Sequence, residues 1–153
     1  MTVFENVLVA TNFAPHRENA KKRQQNAIAA IERTGLSDYF NTPAGKLRLL
    51  DRKRLELSRA VASEPKIILL DEIAGGLTDS ELPALLNIIT ELKKDGVTIV
   101  WIEHIVHALV SVVDRLMCIA GGNVIAIGDP REVLASPKVI EIYLGNDFQI
   151  AGE

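Results

Sequence analysis

The sequence predicts an α/β fold preceded by a helical region, and three observations carry that prediction. From Lys66 onward, short apolar runs alternate with helix-like segments, the order that builds a parallel sheet covered by helices. Before that point, residues 15 to 66 are crowded with Lys, Arg and Glu and space their apolar side chains as helices do. In "PKIILLDEIAGG", Pro65 to Gly76, an unbroken apolar run ends on two acids, Asp71 and Glu72.

The elements follow in order. "ENAKKRQQNAIAAIERTG" holds good helix formers throughout, with Gly35 placed as a C-terminal stop. "LLDRKRLELSRAVASEP" repeats apolar residues at Leu50, Leu55, Leu57, Ala60 and Val61, a helical stripe that ends before Pro65. "KIILLD" has strand length and no polar interruption, which predicts a strand buried on both faces. "TDSELPALLNIITELKKDG" opens with a capping box, Thr78 and Glu81, and closes with Lys93, Lys94 and Gly96. "VTIVWIEH" is a second β-branched run and "HALVSVVD" a short helix. "RLMCIA" and "VIAIGD" read as strands around a tight Gly-Gly-Asn turn. Asp129-Pro130 and Ser136-Pro137 each pair an N-cap with a proline at the first helical position, predicting two short helices.

The bulk properties exclude several function classes. The chain has 153 residues, enough for a sizeable core, and a formal net charge of −3. With a pI near 5.7, phosphate neutralisation on nucleic acid is not expected. The basic clusters Lys21 to Arg23 and Asp51 to Arg54 read as solvated helix faces. Cys118 is the one cysteine, so no disulfide can form within the chain, and it reads as a buried apolar filler in a reducing compartment. No stretch reaches the ~18 apolar residues of a membrane span. "MTVFENVLVA" lacks the basic start of a secretory signal, so a cytosolic chain is expected. His16 and His107 have no metal-ligand partners at useful spacing, and Trp101 reads as core.

Ligands of open α/β sheets bind beyond the carboxyl ends of the strands. Asp71 and Glu72 stand at one such end, Glu103 and His104 at another, and neighbouring strands would bring both pairs to one crevice. An aspartate there suits Mg²⁺, a glutamate can orient a water, and a histidine can donate to a phosphate oxygen. The bland alternative is that strand-end acids only cap the following turn.

The order of the motifs decides between these readings. "IILLDE" resembles the Walker B motif of the ATP-binding cassette (ABC) ATPases, "GGLTDSE" their D-loop, and "VWIEHIVHALVSVVDRLMCIAGGNVIAIGDPREVL" their H-loop region. "GDPREVLASPKVIEIYLG" is similar to the C-terminus of the ATPase subunits of branched-chain amino-acid importers, and "MTVFENVLVA" to the segment after their Q-loop. The resemblance implies that Asp71 is the Mg²⁺-side aspartate, Glu72 the catalytic glutamate and His104 the switch histidine. It also implies Mg²⁺ and ATP as cofactors, a transmembrane permease and a second ATPase subunit as partners, and a place at the inner face of the cell membrane.

Three departures bear on this. The 153 residues contain no GxxxxGK[ST], the loop whose amides and lysine cradle phosphates. The resemblance therefore implies the C-terminal two-thirds of such an ATPase: a helical subdomain over residues 1–64 and half of a P-loop NTPase core over 65–153. Second, the segment matching the LSGGQ signature is "LRLLD", Leu47 to Asp51. Arg48 stands for the serine, and Leu49 and Leu50 for glycines whose close approach to phosphate a leucine blocks. Arg48 could restore some attraction, and the nucleotide-facing set implied is Asp71, Arg48, Leu50, Asp51, Gly76 and Thr78. Third, Ile73 replaces the proline usual after the acid pair, and Thr78 occupies the D-loop acid position.

The family's P-loop strand is central in its sheet, so without it the "IILLD" run is expected to lack a neighbour and leave apolar surface open. At ~25 cal/mol per Å², an unburied ~400 Å² forfeits about 10 kcal/mol, comparable with the ~5–15 kcal/mol stability of a domain. A marginal chain, or one that self-associates through the exposed sheet surface, is the expectation. Three functions stay open at this point. The chain is an ABC ATPase subunit or part of one, inactive alone; a non-catalytic module docking on a transporter or a complete ATPase; or one face of an asymmetric ATPase whose partner supplies the P-loop.

Overall fold

A computed structural model describes residues 1–14 and 19–144. His16, and Gly145 at the end of the C-terminal motif, lie outside the described residues. The chain divides into two compact units, Met1–His104 and Ile105–Glu153.

The first unit opens with three helices. α1 (Val3–Ala10) starts on a complete capping box, the Thr2 hydroxyl accepting from the Glu5 N–H and the Glu5 carboxylate accepting from the Thr2 N–H. α2 (Ala20–Arg33) is capped by Asn19, whose side chain accepts from the Lys22 N–H. It ends at Gly35, whose φ of +70° is the left-handed turn that the sequence predicted there. α3 (Leu49–Ala62) is anchored by Arg52, which donates to the carbonyls of Leu47 and Gly45. All three helices pack on one another and bury Val3, Val7, Ile31 and Leu57 completely or nearly so.

β1 (Ile67–Asp71), α4 (Leu82–Lys94) and β2 (Thr98–Ile102) complete the unit as a strand–helix–strand crossover. β1 and β2 pair in parallel from Ile67↔Thr98 to Asp71↔Ile102. The expectation that "IILLD" lacks a neighbour is corrected on one edge, where the crossover brings β2 alongside it as βαβ connections do; no described strand pairs with the other edge. Burial on both faces is also corrected. Ile68 and Leu70 are buried, whereas Ile67 is 57% exposed and Leu69 75%. Leu70 shares a small hollow with Leu57 of α3, on the covered side. The other face has no cover among the described residues.

α4 begins later than its capping box predicts. The Thr78 hydroxyl donates to the Glu81 carboxylate (2.8 Å), which also accepts from the Thr78 N–H (3.0 Å), so the pair closes a turn ahead of the helix. Pro83 then stands in the first helical turn, where its missing N–H costs nothing.

The second unit starts with α5 (Val106–Val112) and continues with an antiparallel hairpin, β3 (Leu116–Ala120) and β4 (Asn123–Gly128). Gly121 and Gly122, at φ +55° and +76°, make the two-residue turn, and a bulge lies between Cys118 and Ile119. Cys118 is half-buried rather than fully enclosed, and burial still raises its thiol pKa. Asp129 caps α6 (Pro130–Leu134) by accepting from the Arg131 and Glu132 N–H groups, and α7 (Pro137–Val139) follows Ser136. Both proline-led helices form where the sequence placed them. No described helix is long and apolar enough to cross a membrane.

Candidate functional site

The parallel register sets the site. Asp71 is the last residue of β1 and lies opposite Ile102, the last residue of β2, so both chain exits leave the sheet at one level. The Glu72 N–H donates to the Ile102 carbonyl (2.9 Å) and extends the pairing by one bond. Glu72 then turns sharply, at φ +45°, and its carbonyl accepts from the Gly75 N–H. A left-handed glutamate costs about 1–2 kcal/mol, and such strain clusters at sites where a side chain must be aimed.

The aim is outward. The Glu72 and His104 side chains are both largely exposed, with Glu72 Oε1 3.9 Å from His104 Nδ1. Asp71 is exposed beside them. The two strand ends thus bring Asp71, Glu72 and His104 together as exposed side chains. Glu103 does not join them: both of its carboxylate oxygens are buried and without a hydrogen-bond partner, as is the neighbouring Trp101 Nε1. Burial raises the Glu103 carboxyl above the usual range; the nearby Glu72 raises it further, while His104, Lys53 and the Trp101 indole N–H, close by but outside hydrogen-bond geometry, oppose the shift. Both residues follow the last residue of β2, Ile102, and leave the strand in different directions, so sequence adjacency to His104 does not place Glu103 with it.

The signature-like segment forms the N-terminus of α3. Arg48 is the N-cap residue and makes no side-chain cap; it lies close enough to Glu81 to contribute to that carboxyl's lowered pKa, which the hydrogen bonds from Thr78 chiefly cause. Leu49 and Leu50 fill the first turn, Leu49 partly exposed. Asp51 is buried and paired with Arg54 (3.2 Å), an arrangement that serves the helix itself. Gly76 sits against this end, at φ +81°, and a Cβ there would come within 3.0 Å of Leu49 Cδ2. Gly76, Thr78 and the first turn of α3 are therefore neighbours, although nearly thirty residues separate them.

A magnesium nucleotide fits one half of these residues. Asp71 offers an exposed hard oxygen, and Mg²⁺ takes one or two carboxylates and completes its shell with phosphate and water. The other half fits poorly, because two leucines occupy the helix end where bare amides would meet phosphate.

Comparison with known proteins gives the same reading. Residues 123–149 match the family described as the branched-chain amino acid ATP-binding cassette transporter. The high-affinity branched-chain amino acid transport ATP-binding protein LivG of Escherichia coli K12 is 33% identical over 95% of this chain and 62% of its own length. BraF of Pseudomonas aeruginosa shows the same identity and coverage, and the lipopolysaccharide export ATP-binding protein LptB of Haemophilus influenzae is 29% identical over 98% of the chain. Among solved structures, an ATP-binding cassette of an ABC transporter in its ADP conformation superposes with a TM-score of 0.82 at 29% identity, covering 95% of this chain and 63% of that one. The chain thus spans a little over three-fifths of the relatives it matches. Sequence, fold and the order of the motifs agree over nearly its whole length with ATP-binding cassettes of ABC transporters, and the likeness is directed to the branched-chain amino-acid group.

Proposed function

We propose that these residues serve the ATP-hydrolysing subunit of a transporter that imports branched-chain amino acids, as its water-activating and magnesium-side half. The observation that carries the reading is the exposed triplet at the end of the parallel pair, with Glu72 strained into place 3.9 Å from His104. Bound Mg-ATP would supply the phosphoanhydride to be cleaved. Asp71 holds the metal's shell, Glu72 aligns and polarises a water, and His104 donates to the terminal phosphate. Gly76 and Thr78, against the first turn of α3, form the part that meets a second ATPase subunit. A permease docks on the helical region, roughly residues 1 to 45, which places the protein at the inner face of the cell membrane.

One feature favours a second reading, a docking module without turnover. Leu49 and Leu50 replace the bare amides at the α3 N-terminus, and Arg48 stands close to Glu81. Calorimetric titration of the 153-residue chain with Mg²⁺ and a non-hydrolysable ATP analogue tests the two. The ATPase reading expects weak, Mg²⁺-dependent binding that Glu72→Gln preserves and Asp71→Asn abolishes. Absence of any heat at millimolar nucleotide is expected of a part that lacks the phosphate-cradling loop as well as of a docking module. The two then part when a relative's upstream segment is fused to the chain, which should recover nucleotide binding only on the ATPase reading.

A further inference from the structure

Two acids, at the end of the strands away from the site, each break a local rule. Glu64, three residues before β1, holds a left-handed backbone at φ +50°, a conformation that disfavours any side chain. Asp95, three residues before β2, is the C-cap of α4, where the helix carbonyls repel a negative charge. Ile67 pairs with Thr98, so the two acids occupy equivalent places in the joints that enter the parallel pair. One helix answers both. The Asn26 side-chain amide donates to the Glu64 carboxylate (3.0 Å), and the Arg33 guanidinium pairs with the Asp95 carboxylate. Asn26 and Arg33 stand seven residues apart on α2, close to two full turns, and so share one face of it. All of these residues lie in the first compact unit.

We propose that α2 is a strap that levels the two strands from their entrances, with Asn26 and Arg33 as positioning residues for Glu72 and His104. β1 and β2 run in parallel from the joints that α2 holds to the exits that carry Glu72 and His104. Sliding one strand past the other by a single residue moves its exit by about 3.3 Å. Glu72 Oε1 lies 3.9 Å from His104 Nδ1, so an offset of that size undoes their approach. The bond from the Glu72 N–H to the Ile102 carbonyl (2.9 Å) likewise closes only when both exits are level. A helix fastened to both entrances therefore acts on the site from the opposite end of the strands. What the alignment serves rests on the proposed ATPase reading; the alignment itself does not.

Hydrogen exchange followed by NMR on the 153-residue chain tests this without nucleotide, so a chain that binds none still answers. Arg33→Ala and Asn26→Ala should each speed exchange of the Glu72 amide about two- to fivefold and leave the amides around Leu57 in α3 unchanged. Glu64→Gly relieves the left-handed backbone, and Asp95→Asn relieves the charge at the end of α4. Both should keep or raise the urea midpoint and still speed the Glu72 amide, a combination that a role in stability alone does not produce. Asp95→Glu keeps a charge within reach of Arg33 and should hold exchange near its original rate. Asn26→Ala combined with Glu64→Gly should do no more than either change alone, since both cut one bond. An unchanged Glu72 amide overturns the proposal, as does one that quickens only in step with α3. So does additivity of Asn26→Ala and Glu64→Gly, which assigns the effect to the glycine backbone.

Discussion

Two regions of the first unit contrast sharply. Helices α1, α2 and α3 pack on one another along one apolar side of each, so Val7, Ile31 and Leu57 lose essentially all contact with solvent. The β1–β2 pair, built from more apolar residues, covers only half of them. Three amphipathic helices bury most of their apolar stripes against one another, because each presents a single apolar side. A strand with side chains on two sides needs two layers, and these residues supply one. Apolar content alone therefore does not say whether a segment is satisfied; the number of faces it presents does.

Truncations on either side of this divide give the largest expected difference. Leu57→Ala in α3 should cost about 2–5 kcal/mol, the range for deleting a buried leucine. Leu69→Ala removes the same atoms from a residue already 75% exposed, and should stay within about 0.5 kcal/mol at concentrations that keep the chain monomeric. Urea denaturation followed by circular dichroism measures both. Equal losses would mean that the outer sheet face is covered in solution and that the contrast drawn above does not hold.

The joint between the regions can be probed at Gly76. Its φ of +81° disfavours any side chain, and a Cβ would press on Leu49 Cδ2 at 3.0 Å. Gly76→Ala should therefore cost about 1–2 kcal/mol from backbone strain, with the steric part added. Adding Leu49→Ala should recover the steric part and leave the strain, a coupling that a double-mutant cycle reads directly. Strict additivity would mean that the loop after β1 does not rest on the start of α3.

Much of this arrangement was readable before any coordinates. Helix ends followed from Gly35 and the proline-led caps at Asp129 and Ser136 because capping is local chemistry. The acids and His104 were placed at strand ends because an apolar run that stops on a charge marks where a strand leaves its sheet. What was misread depended on distant partners. Burial of Ile67 and Leu69 depends on a layer that the run itself does not encode. Thr78 and Glu81 have the spacing of a capping box but close a preceding turn instead, a choice made by the route of the chain between β1 and α4. Glu103 was read together with its neighbour His104 at the strand end, and nothing in the sequence marks that its carboxylate is buried.

Glu103 offers the finest test of the covered face. Its two carboxylate oxygens are buried without partners, and Lys53, His104 and Glu72 are the charges that bear on it. Burial holds its proton more tightly in the folded chain than in the unfolded one, so the folded state binds more protons between the two pKa values. Stability contributed by this group is therefore present below the ordinary glutamate range and is lost as pH rises through the raised folded value. Above that value the ionised side chain is a constant penalty. Glu103→Gln removes the charge, keeps the shape and leaves Trp101 Nε1 an amide oxygen to meet. At neutral pH it should stabilise the chain by about 1 kcal/mol, the low end for an unpaired buried group because solvent is near. Below about pH 4.3, where glutamate is protonated even when unfolded, the gain should vanish. Paired urea titrations at the two pH values decide the matter: a gain equal at both assigns the effect to packing, and a loss at neutral pH means that Lys53 satisfies the carboxylate after all.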